Sequence, residues 1–173
     1  MVAPYQRRWC SHVLKNVKEL YFPATFCIFA SLNRNFMYPP ELVQPMKADL
    51  TNVGFQQLST AEQVDQLIES TNGTLLMVVN SVCGCAAGNM RPGVKLSLNG
   101  DKKPATLATV FAGVDTEATA QARKYFLPYP PSSPSIALFK DGKLVHFLER
   151  HHIEGGTAQM IAENLSEAYD EFC

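Results

Sequence analysis

Two cysteines one residue apart, Cys83-Gly84-Cys85, are the part of this sequence best suited to chemistry. The reactive form of cysteine is the thiolate, and a free thiol ionises only near about pH 8.5. A helix N-terminus lowers that midpoint, because unpaired N–H groups and the helix dipole favour negative charge. Gly84 lets the backbone turn tightly and exposes the first sulfur. Residues two apart fall within the roughly 7 Å between Cα atoms that a disulfide tolerates, although the small ring is strained. A strained disulfide is labile, suited to exchange rather than to structure. The spacing alone leaves a redox pair, half of a metal site, or two unrelated thiols. A zinc site needs four ligands in recognisable pairs, and no second close cysteine pair follows. No metal is therefore expected, and metal ligation by Cys83 and Cys85 stands as the alternative to redox chemistry.

The surrounding pattern supplies the elements that would hold Cys83. Leu75-Leu76-Met77-Val78-Val79 is a continuous apolar run, the mark of a strand covered on both faces. It leads straight into the cysteine motif, and a helix is predicted from about residue 86 to 98, with Pro92 kinking it or delaying its regular start. Upstream, residues 41–50 read as a helix. Ser59 with Glu62 and Thr60 with Gln63 both have capping-box spacing, opening a helix through Val64, Leu67 and Ile68 that ends at Asn72-Gly73. Downstream come a second strand over 109–112, a helix capped by Asp115 or Thr116, a proline-rich loop over 127–134, and a third strand over 135–139. Asp141-Gly142 is a hairpin turn into a fourth strand over 144–147. Ile161, Leu165, Ala168 and Phe172 form the apolar stripe of a last helix. The order predicts an α/β fold, a thioredoxin-like mixed four-stranded sheet with helices on both faces, over residues 37–173.

Residues 1–36 read differently. They are basic, and an apolar run from Leu20 to Leu32 is interrupted by Pro23 and is too short to span a bilayer. The expectation is a poorly ordered N-terminal extension, of the kind a start codon chosen too early would give, without stable membrane insertion. Its Cys10 and Cys27 are taken as non-catalytic. Across all 173 residues the net charge is −1, with 46% apolar and 18% charged residues. That balance points away from nucleic acid or an anionic membrane as the main partner. Five cysteines at irregular spacing do not form a closed disulfide framework, which suggests a reducing, cytoplasmic setting.

Ser133-Pro134, directly before the third strand, is where a cis-proline would turn the Ser133 backbone toward the Cys83 sulfur and offer it to an incoming extended chain. Both are candidate substrate-binding residues. Cys173 is a candidate third redox thiol. Arg91 and Lys95, on the predicted helix after the motif, would favour a thiolate if they faced Cys83. Arg150 and His151 read as a solvated strand end, with substrate carboxylate binding or proton transfer as the alternative.

The segments 80–88 (NSVCGCAAG), 110–113 (VFAG), 131–135 (PSSPS) and 150–155 (RHHIEG), together with the terminal Cys173, resemble the bacilliredoxins in order over residues 37–173. The resemblance implies a thioredoxin-like protein that removes bacillithiol from mixed disulfides on client proteins. Some relatives have been regarded as weak protein disulfide isomerases. It further implies Cys83 as the nucleophile that takes the low-molecular-weight thiol, Cys85 as the resolving thiol, no bound cofactor, and bacillithiol as thiol co-substrate.

Overall fold

The computed structural model describes residues 38–173; the expected N-terminal extension, with Cys10 and Cys27, lies outside the described residues. Helix α1 (Pro40–Thr51) is followed by β1 (Gln56–Gln57), α2 (Ala61–Ser70), β2 (Thr74–Asn80), α3 (Arg91–Ser97), β3 (Thr106–Phe111) and α4 (Thr116–Tyr125). The hairpin β4 (Ser135–Lys140) and β5 (Lys143–Leu148), the short α5 (Arg150–Glu154) and α6 (Ala158–Phe172) complete it. The sheet order is β1-β3-β2-β4-β5, with β1 and β2 parallel to β3 and with β2–β4 and β4–β5 antiparallel.

The centre of the sheet is β2, all seven residues of which are buried. Strand side chains alternate between faces, and the core divides accordingly. Leu76 and Val78 pack with α1, α3, α5 and α6 through Leu50, Val94, Ile153, Ile161 and Leu165. Leu75, Met77 and Val79 pack with α2 and α4 through Val64, Ile68, Ala118 and Ala122. Two apolar faces on one strand leave no wet side, which is why its sequence is an unbroken apolar run.

Several local signals act as their chemistry requires. Of the two capping-box spacings, Thr60/Gln63 is the one formed: Gln63 N–H donates to Thr60 Oγ1 at 3.3 Å, and Thr60 N–H to Gln63 Oε1 at 3.2 Å. Asp141 and Gly142 both take positive φ, 49° and 75°, as a tight hairpin turn demands. The predicted 86–98 helix is two pieces, a π-helical turn over Ala86–Met90 and then α3. Pro92 is the reason. It lacks an N–H and its ring opposes the carbonyl four residues back, so it sits in the first turn of α3, while Arg91 N–H reaches back five residues to the Ala86 carbonyl.

Three expectations need correction. Among the described residues the sheet has five strands rather than four; β1 is two polar residues with no apolar alternation to reveal it. The predicted strand end at Arg150 winds instead into α5, where the Glu149 N–H donates to His152 Nδ1 at 3.2 Å. Asp115 does occupy the N-cap of α4, but its carboxylate does not cap that helix. It accepts from Lys47 Nζ at 2.8 Å, Gln57 Nε2 at 2.6 Å and the Phe111 N–H at 3.0 Å, tying α1 and β1 to the end of β3.

Packing is close where α3 meets α6. A Cβ on Gly93 would lie 2.8 Å from the Ala158 carbonyl oxygen and 2.9 Å from Ile161. Gly93→Ala is therefore expected to lower the free energy of unfolding by about 1–3 kcal/mol, measured by urea denaturation; an unchanged midpoint would show that the two helices separate freely.

Candidate active site

The chain emerges from the buried end of β2 at Asn80, turns through Ser81 and Val82, and becomes helical at Gly84. Cys83 therefore occupies the N-cap. Its carbonyl accepts from the N–H groups of Ala86 at 3.1 Å and Ala87 at 3.2 Å. Its sulfur takes the place of a capping oxygen, accepting from the Ala86 N–H at 3.3 Å. A second donor, Ser81 Oγ, reaches the same sulfur at 3.3 Å. Cys83 and Cys85 are both partly exposed, and both thiols are free.

The two sulfurs are driven apart in acidity. Burial pushes the Cys83 thiol up, but hydrogen bonds from Cys85, Ser81 and the Ala86 N–H, together with the charge of Arg150, outweigh it and hold Cys83 below the ordinary thiol value. Cys85 is pushed up to about 11 by burial, by its hydrogen bond to Cys83 and by the negative charge developing there; Arg150 opposes and Glu154 adds to the rise. One sulfur is prepared as a thiolate and its neighbour is kept as a thiol that donates to it.

The loop holding Ser81 is clamped from behind. Asn80 is fully buried; its Oδ1 accepts from the Ser81 N–H at 2.8 Å and from Arg91 Nη1 at 3.1 Å, and its Nδ2 donates to the Met46 carbonyl at 2.9 Å. Arg91 also donates to the Ser81 carbonyl at 3.2 Å and pairs with Asp49 at 3.0 Å. Lys95 joins the same carboxylate at 3.3 Å. Arg91 and Lys95 thus face α1 and the motif's underside, and Arg91 bears on Cys83 by fixing Ser81.

Of the other candidates, Ser133-Pro134 is a cis peptide and Leu127-Pro128 is another. Ser135 pairs with Val79 across the sheet, which carries the Ser133-Pro134 segment to the cysteine end of β2. The Ser133 carbonyl accepts from Arg150 Nη1 at 2.8 Å. Arg150, placed by α5, also binds Glu154 Oε1 through Nε at 2.8 Å, and the Cys85 sulfur lies 3.9 Å from that oxygen, within reach of it as an alternative acceptor. Arg150 and Glu154 are the site residues that the sequence reading undervalued. Their spacing four apart, with opposite charges on what proves to be a helix, was the available signal. The His151 and His152 rings lie 3.8 Å apart between centroids and are tilted by 46°.

Cys173 is not brought to this site. Its thiol donates to Thr74 Oγ1 at 3.5 Å, at the start of β2, whereas Cys83 follows the strand's other end. Seven residues of strand separate the two regions by about 20 Å. Among the described residues, no group of three His, Cys, Asp or Glu is arranged to hold a metal ion, and no helix is long and apolar enough to cross a membrane.

Residues 38–173 match the family model described as Disulphide isomerase. A bacilliredoxin of Cytophaga hutchinsonii is 62% identical over 135 residues, covering 78% of this chain and 99% of that protein. The chain belongs to the bacilliredoxin family. A second bacilliredoxin, from Halalkalibacterium halodurans, is 52% identical over 136 residues, covering 79% of this chain and 94% of its own length. Among solved structures, the mitochondrial thioredoxin 3 of Saccharomyces cerevisiae in its oxidized form aligns at TM-score 0.47 and 17% identity, over 69% of this chain and 96% of that one. Family membership and a thioredoxin-like sheet order together make this a thiol-redox protein, a thiol oxidoreductase in general class.

If the Ser81 hydroxyl stabilises the thiolate as a charged-acceptor hydrogen bond, Ser81→Ala should raise the Cys83 midpoint by about one pH unit. Thiolate ultraviolet absorbance, titrated with Cys85 replaced by serine in both proteins, measures it; a stationary midpoint would remove Ser81 from the site.

Proposed function

We propose that this protein reduces bacillithiol mixed disulfides on client proteins through the Cys83-Gly84-Cys85 motif. The observation that carries the reading is the Cys83 sulfur at a helix N-cap, receiving hydrogen bonds from the Ala86 N–H and Ser81 Oγ while partly open to solvent. Such a sulfur is nucleophilic near neutral pH. The Cys83 thiolate attacks the bacillithiol sulfur of a client's mixed disulfide. The client cysteine leaves as its thiolate, and the adduct now sits on Cys83. Cys85 then displaces bacillithiol as its thiolate and closes the Cys83–Cys85 disulfide; alternatively, a second bacillithiol attacks the bacillithiol sulfur of the adduct, releases bacillithiol disulfide and returns Cys83 as its thiolate.

The binding of a client follows from the loop facing the cysteines. With the Ser133 carbonyl engaged by Arg150, Ser133 offers its N–H to an extended client backbone, and Pro134 shapes the wall beside it. Bacillithiol serves as thiol co-substrate, no bound cofactor takes part, and the setting is the reducing cytoplasm. A second reading, weak protein disulfide isomerase activity, is supported by the description of the matching family model.

Intact-protein mass spectrometry with a bacillithiolated client tests the assignment. Cys83→Ser should abolish removal of bacillithiol, and Cys85→Ser should accumulate a bacillithiol adduct on Cys83. Full activity in Cys83→Ser would refute the reading. A side-by-side rate comparison on scrambled ribonuclease then ranks isomerisation against bacillithiol removal.

A further inference from the structure

We propose that Glu154 is the proton acceptor that frees Cys85 to attack the mixed disulfide on Cys83, with Arg150 as the positioning residue that holds the carboxylate there; the proposal rests on the resolving role of Cys85 given above. The Cys85 thiol has two acceptors within reach, the Cys83 sulfur and Glu154 Oε1. In the dithiol protein its proton serves the Cys83 thiolate. Once Cys83 is joined to a substrate sulfur it carries no charge and accepts poorly. The hydrogen bond and the negative charge that kept the proton on Cys85 vanish together. Glu154 Oε1, 3.9 Å from the Cys85 sulfur, is then the acceptor that remains.

Arg150 supports this on three sides. Its Nε and Nη2 both bind Glu154 Oε1, and its Nη1 binds the Ser133 carbonyl. The hydrogen bond and charge of Arg150 hold the Glu154 carboxyl below its usual range, so it is ionised and free to accept at neutral pH. The charged or titratable groups bearing on Cys85 are Cys83 in the motif and Arg150 and Glu154 on α5. As the proton reaches Glu154, Arg150 loses its anionic partner, and its charge turns to the sulfurs beside it.

The step balances within the molecule. The Cys85 S–H bond breaks and its proton passes to Glu154. The Cys85 electron pair forms the bond to the Cys83 sulfur. The bond between Cys83 and the substrate sulfur breaks, and the substrate leaves as thiolate with that pair. A carboxylate is a weak base for a thiol, so proton transfer accompanies sulfur–sulfur bond formation, when the departing thiolate takes up the charge.

The test uses dithiobis(nitrobenzoate) as the disulfide. With Cys10, Cys27 and Cys173 replaced by serine in every protein compared, attack by Cys83 releases a first coloured thionitrobenzoate and attack by Cys85 releases the second, so stopped-flow absorbance separates the two steps. In the wild-type protein the second release should change by less than about threefold between about pH 6 and about pH 8. In Glu154→Gln, a half-exposed position where the amide oxygen still accepts from Arg150, it should climb about tenfold per pH unit as it waits on the Cys85 thiolate. Coincident slopes in the two proteins would overturn the role of Glu154 while leaving the redox reading intact. Absence of the first release from the wild type would instead overturn the redox reading.

Discussion

The chemistry depends on one capping interaction: the Ala86 N–H at a helix start donates to the Cys83 sulfur. A helix leaves its first N–H groups without partners, and an anion there is favoured by both the hydrogen bond and the dipole. Most helices meet that need with a serine, threonine or aspartate oxygen. Here a sulfur fills the role, so the element that needs an anion and the residue that must become one satisfy each other. Ser81 adds a second donor from the strand side, and Arg150 adds a positive charge from α5. None of these groups suffices alone, because partial burial of the thiol works against ionisation.

Holding these donors in place occupies much of the fold. Asn80 ends the central strand and uses its amide to bind the Met46 carbonyl and the Ser81 N–H. Arg91, almost wholly buried, links that amide and the Ser81 carbonyl to Asp49. An arginine suits the position because its fork meets several acceptors in one plane, which a lysine cannot. Helix α1, which precedes the sheet's own βα units, is joined to this end of the molecule three times, through the Met46 carbonyl, through Asp49 and through the Lys47–Asp115 ion pair. That pair lies beside the last residue of β3, Phe111, whose N–H donates to Asp115.

Much of this was legible in the sequence, and the parts that were not have physical reasons. The central strand, the capping box at Thr60, the Asp141-Gly142 turn and the last helix are local signals, each set by residues within a few positions. The cysteine motif is legible for the same reason, since strand, sulfur and helix are adjacent in the chain. Arg150 and Glu154 are not. They meet Cys85 from more than sixty residues away, and nothing near them announces it. Strand β1 is two glutamines whose place is set by β3 and Asp115 rather than by their own pattern. Arg91 is legible as a charge on the motif's helix; that it reaches Cys83 through Ser81 follows from packing against α1, which spacing does not encode.

The separation of Cys173 from the motif has a practical corollary. The terminal sulfur sits at the far pole of the sheet, hydrogen-bonded to Thr74 and open to solvent. A dye, a solid support or a second copy coupled through that atom leaves the opposite pole unobstructed. Chains joined tail to tail in this way would present two independent reactive ends facing outward.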